Sequence, residues 1–185
     1  YDCLQGGFIW DWVDQTWAMK TEDGRAFWGY GGDFPKHEVP ADSNFCANGL
    51  VQANRIPHPH IEEVKKVYQP IHFKWEKGKL LVRNRHDHID LSGYDFHWRL
   101  KADGREIESG ELDLKTAAHA IDTISINMKT VVHPKQDHHL EVYAYTKKEA
   151  PLIPAGHLVA REQFELMTYG LRPLNVPLHS SLVLT

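Results

Sequence analysis

The sequence predicts a mainly β fold, in which a two-sheet antiparallel β-sandwich follows a β/α segment. Residues 70–168 alternate apolar and polar side chains in seven short runs, with turn signals such as Lys77-Gly78 between them and no helical pattern. Residues 1–68 lack this alternation, are rich in Gly, Trp and Pro, and contain one helical pattern. Seven runs at this spacing are typical of a sandwich of about 100 residues.

The alternation identifies the side chains of the predicted sandwich core. In a half-buried strand every second side chain faces the core. Trp98 lies on a central run, so it is the expected core anchor. The run at 105–114 is more polar than the others. The apolar members of the other six runs are, in chain order, Ile71, Phe73, Trp75, Leu80, Val82, Tyr94, Phe96, Trp98, Leu100, Ile124, Ile126, Met128, Leu140, Val142, Ala144, Leu158, Ala160, Phe164 and Leu166.

The first part of the chain predicts a single strand, a long loop and a helix. GGFIWDW is an apolar run after a Gly-Gly pair, which predicts a strand buried on both faces. PHPHIEEVKKVYQ predicts a helix, because Glu62 and Glu63 lie near its positive end and Lys65 and Lys66 near its negative end. One strand and one helix cannot close a core, so we expect this part to be the end of a larger α/β body.

These patterns give three segments and exclude two classes of partner. We expect a partial α/β segment at 1–68, the sandwich at 69–168 and a linker or tail at 169–185. The net charge of -4 and the lack of a basic cluster argue against nucleic-acid binding. No apolar run approaches the roughly 20 residues that cross a bilayer. Cys3 and Cys46 form no CxxC motif, so a cytoplasmic and a periplasmic location both stay open.

Four motifs occur in order between residues 4 and 59: LQGGFIWDWVDQ, WGYGGDF, FCANGLV and RIPHP. Together they resemble the end of the catalytic barrel of large, multidomain β-galactosidases of glycoside hydrolase family 2. Residues 70–168 are similar in position to the immunoglobulin-like domain that follows that barrel. The resemblance implies an immunoglobulin-like β-sandwich preceded by the terminal β/α segment of a TIM barrel. In such a barrel the active site lies at the carboxyl ends of the strands.

The resemblance implies hydrolysis of terminal non-reducing β-D-galactosides with retention. Retaining enzymes need two carboxyl groups about 5–5.5 Å apart, and the family takes both from glutamates on earlier barrel strands. No catalytic residue is therefore expected in this chain, which should be inactive alone. We expect Asp11 and Asp14 to orient the strand end through hydrogen bonds; direct catalysis is the alternative. Whether the protein forms a homo-oligomer stays an open question.

The resemblance also assigns a substrate contact and a cation site. Trp10 matches the tryptophan that forms a wall of the galactose pocket, where a flat indole covers the apolar face of a sugar; barrel packing is the alternative. The Phe45 carbonyl and the Asn48 side chain match two ligands of a sodium ion, a hard cation that oxygen donors suit. A plain turn at Asn48-Gly49 is the alternative. The third sodium ligand and the magnesium ligands of the family are expected outside this chain.

Two other functions compete with this one. A noncatalytic sandwich could bind carbohydrate or protein through Trp75, Tyr143 and Tyr145, provided that these side chains share an open face. A metal-dependent enzyme could instead be built on some of the 13 histidines. We expect the histidines of the sandwich to face solvent, and His58 and His60, beside the predicted helix, to be structural. The histidines considered for a metal are His86, His88, His138 and His139.

Overall fold

The computed structural model describes residues 3, 6–34 and 43–169. The chain divides into two units, the first ending at Tyr68 and the second beginning at Gln69. The predicted tail at 169–185 lies outside the described residues, apart from Tyr169. No helix among the described residues is long and apolar enough to span a membrane.

The first unit contains one short hairpin and one helix. Strands β1 (Trp17–Lys20) and β2 (Ala26–Gly29) pair antiparallel around the predicted Asp23-Gly24 turn. Helix α1 spans Ile61–Val67, within the predicted region, with two glutamates in its first turn and two lysines in its last. None of its residues is buried. Two 3-10 turns lie between these elements, at Gly31–Asp33 and Ser43–Cys46.

The predicted buried strand at GGFIWDW is wrong for this structure. Residues 6–12 belong to no strand, and the side chain of Phe8 is fully exposed. The nearest ladder contact is a single parallel bridge between Val13 and Val51. A parallel strand is stabilised by neighbours on both sides and by helices over its faces. The described residues supply one short neighbouring segment, 46–51, so the apolar run forms no ladder.

The second unit is the predicted antiparallel sandwich, and all seven predicted strands are confirmed. Three strands form one sheet in the order β3-β4-β7, and four form the other in the order β6-β5-β8-β9. In chain order they are β3 (Ile71–Glu76), β4 (Lys79–Asn84), β5 (Tyr94–Ala102), β6 (Arg105–Leu112), β7 (Ile121–Ile124), β8 (His138–Thr146) and β9 (Leu158–Met167).

Two hairpin turns and one glycine set the register of the sandwich. Lys77-Gly78 and Asp103-Gly104 both have positive φ at each position, which matches the twist of antiparallel strands. Trp98 on β5 lies opposite Gly110 on β6 and is 5% exposed. A Cβ on Gly110 would lie 2.7 Å from the indole nitrogen of Trp98, so the indole packs where a side chain would otherwise stand.

The core lies between the inner faces of the two sheets. It contains most of the predicted apolar positions, and Phe96, Leu100, Leu140 and Val142 are among its fully buried members. Ile126 and Met128 also pack into it, although β7 ends at Ile124. The alternation therefore identified core positions beyond the end of the strand itself.

Candidate functional site

The motif segment around Asp11 is held against the FCANGLV segment by backbone hydrogen bonds. This pairing is parallel where it forms a bridge, as expected between neighbouring strands of a barrel. It aligns the first and third motifs, which are more than 30 residues apart in the chain. The bonds run from Asp11 N to Asn48 O (3.3 Å), Leu50 N to Asp11 O (3.0 Å), Val51 N to Trp12 O (3.0 Å), Asp14 N to Val51 O (2.9 Å) and Gln15 N to Cys46 O (2.8 Å).

Gly49 allows the two segments to approach this closely. A Cβ at this position would lie 2.2 Å from the backbone nitrogen of Asp14 and 2.4 Å from the carbonyl carbon of Val13. Both contacts are with backbone, which cannot rotate away as a side chain can. The Asn-Gly pair of FCANG is therefore more than a turn signal, because its glycine is required where the two motifs cross.

Asp14 is tied to two groups from the third and fourth motifs. Its Oδ1 accepts a hydrogen bond from Gly49 N–H at 2.7 Å, and its Oδ2 lies 2.7 Å from Nε2 of His58. The Asp14 side chain is only 11% exposed. The imidazole of His58 stacks on that of His60, with ring centroids 5.4 Å apart. The predicted orienting function of Asp14 agrees with these contacts.

Asp11 makes local contacts. One carboxylate oxygen accepts from the Trp12 N–H at 2.5 Å, and the other accepts from the side-chain amide of Gln15. These bonds fix the backbone just after Trp10, whose peptide bond to Asp11 is cis. Both aspartates thus use their oxygens to hold the backbone of this segment, which agrees with the orienting function expected for them.

The Trp10 side chain projects away from the described residues, with 74% of its surface exposed. Most of the indole is therefore uncovered among the described residues. A large exposed indole beside a fixed backbone can cover the face of a ligand. The predicted substrate contact and the alternative of barrel packing both stay predictions for Trp10.

Asn48 contains an unsatisfied polar atom at the predicted cation site. Its Oδ1 is buried and accepts no hydrogen bond from any described residue. A buried polar atom without a partner costs about 1–3 kcal/mol, so an electropositive partner is expected for it. Phe45 lies three residues earlier, in the 3-10 turn Ser43–Cys46, with its ring exposed. The oxygen donors of Phe45 and Asn48 fit a hard cation.

The three aromatic residues of the alternative binding surface do not share a face. Trp75 lies on β3 and packs against the core beside Phe164, at a centroid distance of 6.4 Å. Tyr143 and Tyr145 stack on each other on β8, 6.1 Å apart. The arrangement proposed for a noncatalytic carbohydrate module is therefore absent from the described residues.

Tyr143 belongs to a hydrogen-bonded cluster around Glu141. Its hydroxyl donates to Glu141 at 2.6 Å, and Lys101 and Gln163 each donate to the same carboxylate at 2.9 Å. Burial opposes ionisation of Glu141, but these three bonds outweigh it and lower the pKa of the carboxyl. Burial and the bond to Glu141 raise the pKa of Tyr143 to about 12. The cluster is a structural feature of the sheet surface.

The histidines of the sandwich form no metal site within the part of the chain that the structure describes. The expectation that they face solvent is wrong for His138, which is 1% exposed and pairs through Nδ1 with the Gln136 carbonyl at 3.0 Å. It is also wrong for His86, which is half-buried beside Tyr94, 3.0 Å from its hydroxyl. Burial lowers the pKa of His86. Both side chains complete local packing.

The contact between Asp14 and His58 was not predicted from the sequence. The two residues are 44 positions apart, and no spacing rule connects them. The only related sequence signal was that an aspartate and a histidine occur in two of the four ordered motifs. That order indicates that the two motifs belong to one site, but it does not indicate which side chains meet.

Two family comparisons cover most of the chain. Residues 1–73 match the family described as "Glycosyl hydrolases family 2, TIM barrel domain", and residues 80–167 match "Beta-galactosidase, domain 4". Among solved structures, the Amycolatopsis orientalis exo-chitosanase CsxA is similar at 19% identity and a TM-score of 0.43, over 66% of this chain and 14% of that one.

Curated relatives match nearly the whole chain. The beta-galactosidase of Priestia megaterium is 36% identical over 98% of this chain, and that of Vibrio cholerae is 38% identical over 87%. The chain spans 18% and 15% of the lengths of those two proteins, which is less than a fifth of either. The chain therefore belongs to glycoside hydrolase family 2, with a segment of the family's TIM-barrel domain followed by β-galactosidase domain 4.

Proposed function

We propose that the protein containing this chain hydrolyses terminal non-reducing β-D-galactosides with retention of anomeric configuration. The observation that carries the proposal is the match of both parts of the chain, in order, to beta-galactosidases over 98% of its length. The retained configuration follows from the family chemistry of two closely spaced carboxyl groups. Those two groups are supplied by other parts of the protein, so residues 1–185 alone are inactive.

In this proposal Trp10 forms one wall of the galactose pocket. Its exposed indole would cover the apolar C–H face of the sugar, and the hydrogen bonds of Asp11 hold the backbone behind it. The stacking contact orients the sugar ring and excludes water from one of its faces. It involves no proton transfer, so Trp10 contributes binding and orientation rather than acid–base chemistry.

Phe45 and Asn48 would hold a sodium ion at the edge of this pocket. The buried Oδ1 of Asn48, which has no partner among the described residues, supports this assignment. When bound, the ion supplies a fixed positive charge that oxygen atoms of the substrate can coordinate. The remaining protein ligand and the magnesium site of the family are proposed to lie outside this chain.

The test compares the full-length protein with residues 1–185, using an aryl β-galactoside as substrate. Proton NMR of the product formed first should show the β-anomer for the full-length protein and no turnover for the isolated chain. Trp10→Ala should lower kcat/KM about 10- to 100-fold, because roughly 1.5–3 kcal/mol of aromatic burial is lost. Trp17→Ala is the matched control, since Trp17 is exposed to a similar extent, 67%.

Three results would reject parts of this function. An α-anomer as the first product contradicts retention. Hydrolysis by the isolated chain contradicts the placement of the carboxyl groups. Equal kcat/KM values for the Trp10 and Trp17 variants contradict the pocket wall.

A further inference from the structure

Four residues close a ring of contacts next to Asn48. The Asp14 carboxylate accepts from Gly49 N–H at 2.7 Å and lies 2.7 Å from the His58 ring. Gly49 is bonded covalently to Leu50, whose carbonyl accepts from the backbone N–H of His58 at 3.1 Å. We call this ring, formed by Asp14, Gly49, Leu50 and His58, the Asp14–His58 clasp. It fixes the chain immediately after Asn48 from two directions.

The contacts favour a positioning function for Asp14 over a catalytic one. Each of its two oxygens already has a protein partner, and its side chain is 11% exposed. A nucleophile or a general acid must reach the substrate with a carboxylate oxygen. The Asp14 oxygens instead face Gly49 and His58.

The clasp holds the backbone from which the Asn48 side chain extends. The backbone carbonyl of Asn48 accepts from Asp11 N–H at 3.3 Å, a long hydrogen bond. The bond from Gly49 to Asp14 is shorter and has a charged acceptor, and such bonds are about twice as strong as neutral ones. The amide group following Asn48 is therefore held mainly by Asp14. The buried Oδ1 of Asn48 has no described partner that could hold it in place.

We propose that Asp14, supported by His58, is a positioning residue that holds Asn48 Oδ1 ready to coordinate a sodium ion. This inference rests on the cation site of the proposed function. It assigns to Asp14 of the first motif and His58 of the fourth motif a function that neither has as a ligand. Groups that orient metal ligands typically contribute 10- to 100-fold to metal affinity, so losing Asp14 weakens sodium binding by about that factor while every ligand stays in the chain.

The experiment measures sodium affinity directly in the full-length protein, by 23Na NMR relaxation during a NaCl titration in a potassium- and lithium-free buffer. Asp14→Ala should weaken binding about 10- to 100-fold. Asp14→Asn retains an oxygen that can accept from Gly49 and should restore part of the affinity. Asp113→Ala is the matched control, because Asp113 is an exposed carboxylate of the sandwich, outside the unit that contains the clasp.

A kinetic readout separates positioning from general damage. In Asp14→Ala the KM for an aryl β-galactoside should rise at low sodium and return toward the wild-type value as sodium is raised. The kcat at saturating sodium should stay within about twofold of wild type, an estimate that follows from loss of affinity without loss of a transition-state contact. A variant that is only destabilised loses activity at every sodium concentration.

The outcomes distinguish the two levels of the proposal. If wild type shows no saturable sodium binding, the cation site fails and the positioning function fails with it. If Asn48→Ala abolishes binding while Asp14→Ala binds as wild type does, only the positioning function is overturned. If Asp14→Ala does not fold, Asp14→Asn and His58→Gln decide: weakened sodium affinity in both supports the clasp, and wild-type affinity in either overturns it.

Discussion

Replacing Asn84 by alanine should destabilise the sandwich strongly, although the residue contributes nothing to the apolar core. Asn84 is fully buried at the end of β4. Its amide nitrogen donates to the Ile89 carbonyl at 2.8 Å and to the Thr116 carbonyl at 3.0 Å, and its Oδ1 accepts from His86 N–H at 2.9 Å. One side chain thus holds the connection between β4 and β5 to the loop before β7.

The size of this destabilisation follows from the hydrogen-bonding partners that Asn84→Ala leaves without a partner. The Thr116 carbonyl keeps a second donor, Leu91 N–H at 3.1 Å, so it stays satisfied. The Ile89 carbonyl and His86 N–H lose the Asn84 partner. Each unsatisfied buried group costs about 1–3 kcal/mol. Both groups are only partly buried, so we expect about 1–2 kcal/mol for each and roughly 2–4 kcal/mol in total.

Native-state hydrogen exchange measures this loss in the intact chain. The amides of Leu140 and Val142 lie inside β8, so they exchange through large openings of the sandwich. Their protection free energy should fall by about 2–4 kcal/mol in Asn84→Ala. It should change by less than about 0.5 kcal/mol in Asn127→Ala, an exposed asparagine. Equal protection in the two variants would refute the reasoning.

Three further predictions concern the four-stranded sheet. Gly110→Ala should cost about 1–3 kcal/mol in urea unfolding, because its Cβ would overlap the Trp98 indole; Gly93→Ala, with open space around its Cβ, is the control. Because the pKa of Tyr143 is raised to about 12 from 10.0, the free energy of unfolding that its neutral form contributes is lost as pH rises through that range. An ultraviolet titration should show a late-titrating tyrosine that disappears in Tyr143→Phe. Because the pKa of Glu141 is lowered, the free energy of unfolding that its ionised carboxylate contributes is present above about pH 4.5 and is lost in more acidic solution. Glu141→Gln should flatten this pH dependence in acid-unfolding curves. An unchanged slope would contradict the hydrogen-bonded cluster.

The sandwich could be predicted from the sequence because its signals are local. Alternation with a period of two assigned Phe96, Trp98 and Leu100 to one buried face, and all three are in the core. Turn pairs such as Asp103-Gly104 marked the hairpin ends. The sheet order was not predictable, because the pairing of β7 with β4 joins strands that β5 and β6 separate in the chain.

The first unit shows why an apolar run alone does not determine a strand. The composition of GGFIWDW suits a strand buried on both faces, yet strand formation depends on neighbours that the run does not encode. The motif resemblance predicted Trp10, Phe45 and Asn48 as site residues, and these assignments stay predictions. The Asp14–His58 contact became visible only in three dimensions, because it depends on how two distant motifs cross at Gly49.

We propose that the protein containing this chain cleaves β-galactosides with carboxyl groups supplied outside residues 1–185. An activated 2-deoxy-2-fluoro-β-galactoside traps the covalent glycosyl-enzyme of a retaining enzyme, and peptide mass spectrometry of the labelled full-length protein locates the modified residue. We expect one label, on a glutamate outside this chain. A label on Asp11, Asp14 or any other residue of the chain would contradict it.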